Sequence, residues 1–153
     1  MKEEVIGANC PVNDKQVNEI VVRMIAMQVV FVGLAALYFQ NPLISGLLLI
    51  DFGLRAFGMG QWSPLRYAAQ KTVTHFQLGY KATNEAPKRF AATIGFFVIT
   101  IFTALLLFQF FVSASIVGGI LLLFASLEAG FGICVGCILY QKLSSWGFIK
   151  VSL

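Results

Sequence analysis

The 25 residues from Ile116 to Tyr140 carry a single charge, Glu128, in an otherwise apolar run. A helix of that length rises about 37 Å at 1.5 Å per residue, more than the roughly 30 Å hydrocarbon core of a bilayer. Three further apolar runs precede it, at 20–39, 43–59 and 90–112. The 153 residues are 58% hydrophobic and only 12% charged. A soluble domain carries about 25% charged residues, so this composition belongs to the membrane class. The expected fold is all-α: a polytopic membrane protein with four transmembrane helices in a bundle, as one domain over 1–153.

The connections have their own chemistry. Gln40-Asn41-Pro42 predicts a tight turn, because proline resists continuing a helix. Ser113-Ala114-Ser115 predicts the second short turn. Ser63-Pro64 suits an N-cap followed by proline at the first helical position. Leu65, Ala69, Val73, Phe76 and Tyr80 then form an apolar stripe at helical spacing. This predicts a cytoplasmic amphipathic surface helix over 63–80. The first nineteen residues are polar, without the apolar core and cleavage site of a signal peptide. The tail after Gln141 carries Lys142, Trp146 and Lys150, an interfacial anchor.

Lysines and arginines set the orientation. Lys2, Lys15 and Arg23 lie at the start; Arg66, Lys71, Lys81, Lys88 and Arg89 between the second and third spans; Lys142 and Lys150 at the end. The two short connections have none. Both termini and the middle segment are therefore expected in the cytoplasm. The net charge of +4 comes from residues flanking spans, so nucleic acid is not an expected partner and the lipid bilayer is.

Three cysteines exclude an all-disulfide framework. The expected topology puts Cys10, Cys134 and Cys137 at the cytoplasmic side, where thiols stay reduced. Cys134 and Cys137 are three residues apart, one turn on one helix face. That spacing serves a disulfide, a persulfide relay or half a metal site. A position near the carboxyl end of an apolar helix raises a thiol's pKa. The bland alternative is close packing through Gly132 and Gly136. Cys10, before a helix start, is the better thiolate, but it reaches the pair only if the segment before Ile20 bends or lies flat.

Asp51 and Arg55 share a face at i,i+4 spacing and are expected to pair. In a continuous helix Glu128 lies roughly 120° from Cys134 and 180° from Cys137. It is expected instead near Arg55, in a buried polar cluster with Asp51. That cluster serves either a proton or anion pathway or simple helix pairing. His75, the single histidine, would complete a Cys3His set, but the spacing fits no ordinary zinc module. No metal or other cofactor is expected: there is no phosphate loop, Ser-His-Asp set, dinucleotide fingerprint or haem-attachment motif.

Three blocks together resemble a known family. They are Cys10-Pro11-Val12-Asn13 with Asn18, Val22 and Arg23; Glu85-Ala86-Pro87-Lys88-Arg89-Phe90-Ala91 with Ile94-Gly95; and Ala129 to Cys137, ending at Tyr140. The chain is similar over nearly its whole length to the bacterial membrane proteins catalogued as domain of unknown function 4395. The resemblance implies a four-span inner-membrane protein with Cys134 and Cys137 as its thiols. It also implies a cytoplasmic thioredoxin-like or sulfurtransferase partner.

The leading expectation is a membrane protein handling thiol/disulfide or sulfane-sulfur chemistry through Cys134 and Cys137, with Cys10 as a mobile third thiol. The alternatives are a transporter of small anions or sulfur compounds using Arg55, Asp51 and Glu128, which needs a homo-oligomer, and a structural subunit without chemistry.

Overall fold

The computed structural model describes residues 16–147. Cys10, both alternative helix starts near Pro11 and Asn13, and Lys150 lie outside the described residues.

The first helix, α1 (Glu19–Phe39), begins where Asn18 caps it, the Asn18 Oδ1 accepting the Ile20 N–H at 3.0 Å. Asn18 also ends a short strand, β1 (Gln16–Asn18), which pairs antiparallel with β2 (Ala82–Asn84), Gln16 opposite Asn84. This ribbon departs from an all-helical reading. Three-residue strands are too short to show an alternating pattern. The ribbon ties the start of α1 to the start of α4 (Glu85–Leu107).

Gln40 turns the chain with a left-handed φ of 46°, and Asn41 caps α2 (Pro42–Ala56) with Pro42 in the first turn. This matches the expected connection. A 3-10 turn at Gly60–Trp62 follows, then α3 (Pro64–His75), capped by Ser63 as the sequence predicts. Ala69 and Val73 are buried, whereas Phe76 is the C-cap and Tyr80 lies beyond the helix; both are exposed.

The second short turn is displaced from its expected place. α4 ends at Leu107, and α5 (Phe111–Phe131) starts four residues later. Gln109, at φ 60°, donates to the Leu106 carbonyl and Phe110 to the Leu105 carbonyl, a Schellman closure. Ser113, Ala114 and Ser115 are in the first turns of α5, not in a loop. A serine fits there because its hydroxyl bonds backward: Ser115 Oγ donates to the Phe111 carbonyl at 2.8 Å.

The expected fourth span is also cut short. α5 stops at Phe131, Gly132 takes φ 68°, and a separate helix, α6 (Val135–Ser145), carries the chain onward. Among the described residues, three helices are long and apolar enough to cross a membrane: α1, α4 and α5, at 21, 23 and 21 residues. α2, at 15 residues, is about 22 Å long and falls short of a full hydrocarbon core.

The interior is built from all four longer helices: Val29 of α1, Leu48 and Phe52 of α2, Ile99 and Phe102 of α4, and Leu121 of α5. α2 and α4 approach closely because Gly95 leaves room for the Phe52 ring. The outer surface is apolar too, with Phe31, Leu43, Phe97 and Val112 all more than 60% exposed. Helices apolar all round suit lipid rather than water.

The ends of these elements converge. The Glu19 N–H donates to the Lys81 carbonyl, Arg89 Nε donates to the Ala56 carbonyl, and Lys88 pairs with Glu128. The starts of α1 and α4 and the ends of α2 and α5 are therefore at one end of the bundle, with α3 and α6 packed on α1 and α4. The turns 40–41 and 108–110, at the opposite end, contain no charge.

Candidate thiol site at the break after α5

Gly132 creates the site. Its left-handed backbone is costly for a side-chain-bearing residue. A Cβ there would also collide with the Arg23 guanidinium, which packs against the turn. The Gly132 N–H donates to the Glu128 carbonyl at 3.0 Å, closing α5, and the chain restarts two residues later.

Cys134 is the N-cap of the new helix. Its backbone is extended, at φ −89° and ψ 102°, and its Sγ accepts the Cys137 N–H at 3.3 Å. The Cys134 carbonyl accepts the N–H groups of Cys137 and Ile138 at 3.0 and 3.1 Å. This reverses the electrostatics expected of an unbroken span. The pair lies at the positive amino end of α6, not at the negative carboxyl end of a longer helix.

The two thiols are inequivalent. A hydrogen bond donated by the Cys137 thiol, with smaller help from the backbone and Lys88, holds the Cys134 pKa below the ordinary cysteine value, against burial and the Glu128 charge. The same hydrogen bond retains the Cys137 proton, and burial adds to it, so the Cys137 pKa is pushed up. Cys134 is 8% exposed and Cys137 half-buried; both are free thiols.

Cys134 lines a cavity of about 300 Å³ between α1, α2, α4, α5 and α6. Its wall is mostly apolar, including Val22, Phe52, Val98, Leu121 and Leu139. Its polar lining comes from Arg55, Lys88, Glu128 and Cys134. Glu128 therefore shares a cavity with Cys134, although an unbroken helix would turn it away. The break at Gly132 makes the continuous 100° rotation inapplicable.

Arg55 and Glu128 share this cavity, as expected, but the cluster with Asp51 resolves into two ion pairs. Arg55 Nη1 is 3.9 Å from Asp51 Oδ2, as the i,i+4 spacing predicts. Glu128 pairs instead with Lys88, Nζ to Oε1 at 3.2 Å, both side chains largely buried. Asp51 is fully buried and holds the start of α3: its Oδ1 accepts the Ser63 hydroxyl and the Leu65 N–H.

Two participants escaped the sequence reading. Lys88 and Arg23 serve there only to set the orientation and in the family blocks. Their roles beside Glu128 and Gly132 depend on contacts between residues 40 and 109 positions apart in the chain. Gly136 does serve close packing, since a Cβ there would lie 2.7 Å from the Ala91 Cα on α4.

The family model described as Domain of unknown function (DUF4395) matches residues 17–144. The chain belongs to this family. The DUF4395 match takes in Cys134, Cys137, Arg55, Asp51, Lys88 and Glu128, while Cys10 precedes it. No curated protein and no solved structure matches the chain.

Proposed function

We propose that this DUF4395 protein performs thiol–disulfide exchange at the cytoplasmic side of the bacterial inner membrane, with Cys134 attacking and Cys137 resolving. The observation that carries this reading is Cys134 Sγ at the N-cap of α6, accepting the Cys137 N–H. Helix N-termini favour thiolates, and a thiolate is the nucleophile in exchange.

The steps balance as follows. The Cys134 thiolate attacks one sulfur of a disulfide on a cytoplasmic thioredoxin-like protein, forming a mixed disulfide and releasing one partner thiolate. Cys137 loses its proton and attacks Cys134 Sγ. The second partner thiolate leaves, and a Cys134–Cys137 disulfide remains. Two electrons pass to the partner, and the pair is oxidised. The same Cys134 thiolate accepts sulfane sulfur from a sulfurtransferase persulfide, giving a Cys134 persulfide and the donor's thiolate.

Four spans accompany this reading, with α2 as the fourth and local bilayer thinning matching its short length. The cationic end of the bundle faces the cytoplasm with both termini, and α3 lies along the membrane surface. Cysteine-accessibility labelling at residues 40 and 109 tests the orientation. Both positions are expected to react from the periplasmic side only.

The direct test of the chemistry is trapping. Cys137→Ser is expected to accumulate a mixed disulfide or persulfide on Cys134, and Cys134→Ser to accumulate neither. Complementation of a deletion strain by both serine variants would refute the proposal.

A further inference from the structure

A second, smaller cavity lies beside the thiol cavity. It occupies about 80 Å³ among α1, α2, α3 and α4, at the end of the bundle where the charges gather. Arg55, Arg66, Lys88 and Arg89 line it, with Gln70 and a single carboxylate, Glu85. No cysteine does.

Two of these cations are already balanced: Asp51 pairs with Arg55, and Glu128 with Lys88. Arg66 and Arg89 form no ion pair among the described residues, nor does Glu85. The crevice thus gathers two additional guanidinium groups against one carboxylate. Arg66 is half-buried and Arg89 exposed at the mouth of the crevice; like charges held together repel, and a bound anion offsets that repulsion.

The backbone is shaped for these two guanidinium groups. Gly58, at φ 82°, faces Arg89: a Cβ there would lie 3.1 Å from the guanidinium carbon. A Cβ on Gly60 would lie 3.1 Å from Arg66 Nη1. The turn between α2 and α3 therefore lacks side chains where each group packs. Arg89 Nε is fixed on the Ala56 carbonyl at 3.1 Å, which leaves its Nη donors for another acceptor.

We infer that this crevice binds one tetrahedral oxyanion of the phosphate or sulfate type, held by Arg66 and Arg89 with Arg55 and Lys88 behind them. Planar guanidinium forks match two oxygens of such an anion at once. The volume suits a small polyatomic ion and is well below the roughly 300 Å³ at which drug-sized ligand sites begin. The anion comes either free from solution or as the phosphate of an anionic lipid headgroup.

The test uses the full chain in neutral detergent, with inorganic sulfate and phosphate as probes. Chloride at matched ionic strength is the control. A saturable rise in the unfolding midpoint with sulfate or phosphate, but not chloride, is expected. Arg66→Gln and Arg89→Gln are each expected to weaken the apparent affinity by about tenfold or more, the loss of a charge-assisted contact. Gly60→Ala keeps every charge but crowds Arg66, and is expected to weaken binding too. Equal responses to chloride and sulfate on the unaltered chain would overturn the inference, and so would an unchanged sulfate response in the double arginine variant. Nanodiscs distinguish the two sources. Suppression of the sulfate response by phosphatidylglycerol, but not by zwitterionic lipid, assigns the site to a lipid headgroup. Persistence in both assigns it to a free oxyanion. Because no thiol is read, failure here is separate from failure of the exchange chemistry.

Discussion

Cys134 caps the helix that carries Cys137, its Sγ accepting the Cys137 N–H at 3.3 Å. The hydrogen bond between the two thiols, with smaller help to Cys134 from this backbone contact, gives two cysteines on one turn opposite tendencies. Cys134 is stabilised as a thiolate, and Cys137 keeps its proton.

The pH dependence of alkylation follows directly. A lowered pKa means the Cys134 thiolate is populated at lower pH than an ordinary cysteine, whose value is about 8.5. The rate of Cys134 modification by a small apolar maleimide is therefore expected to reach half its plateau at a lower pH than that of an ordinary cysteine thiol. In the unaltered chain, Cys137 is expected to react more slowly at neutral pH than Cys134. Peptide mapping after timed labelling reads both. Equal rates at the two positions at pH 7 would contradict the asymmetry.

The Gly132 turn offers a mutational test of how the site is built. Gly132→Ala places a Cβ in the left-handed region, which costs about 1–2 kcal/mol before any clash is counted. It also forces the Arg23 guanidinium away. The thermal midpoint is expected to fall, and Cys134 reactivity to fall with it. Adding Arg23→Ala should restore part of the stability by removing the clash but not the backbone cost. Purely additive losses in the double variant would show that the two residues do not meet.

Lys88 and Glu128 predict a strong thermodynamic coupling. Breaking a buried ion pair by removing one partner costs on the order of 3 kcal/mol, because the other charge is left uncompensated. Lys88→Met and Glu128→Leu should each destabilise the chain, and the double variant should lose clearly less than the sum. Urea or thermal unfolding in detergent, arranged as a double-mutant cycle, measures the difference.

Asp51 is predicted to act in folding rather than in exchange. Asp51→Ala strips acceptors from the Ser63 hydroxyl and the Leu65 N–H at the buried start of α3. The expected loss is about 2–4 kcal/mol, as for other buried groups left without a partner. Thiol exchange per folded molecule should be unchanged. A variant of normal stability with lost activity would place Asp51 in the chemistry instead.

Much of the local structure was legible because it depends on neighbours in sequence. Asn41-Pro42 and Ser63-Pro64 start helices as their capping chemistry requires. Asp51 and Arg55 meet because four residues make about one helical turn. The misreadings share a cause. Ser113 to Ser115 suggested a turn by polarity, but a hydroxyl bonded to the preceding turn is at home inside a helix. The real turn uses Gln109, whose left-handed backbone has no signature in an apolar run. Gly132 and Gly136 suggest close packing within one span; Gly136 does pack against Ala91, whereas Gly132 breaks the span.

Local chemistry alone establishes the apolar helices, the turn at Gln40-Asn41-Pro42, the cap at Ser63, the grouping of basic residues into three segments, and the family. These rest on hydropathy, local hydrogen bonding and motif spacing, each satisfied within a few residues. Tertiary structure decided where the last span ends, which partner Glu128 takes and which of Cys134 and Cys137 loses its proton more easily. The first two outcomes depend on Arg23 reaching Gly132 and Lys88 reaching Glu128, and Ala91 admitting Gly136 seats the new helix. Each contact joins residues far apart in the chain, and only the packed helices bring them together.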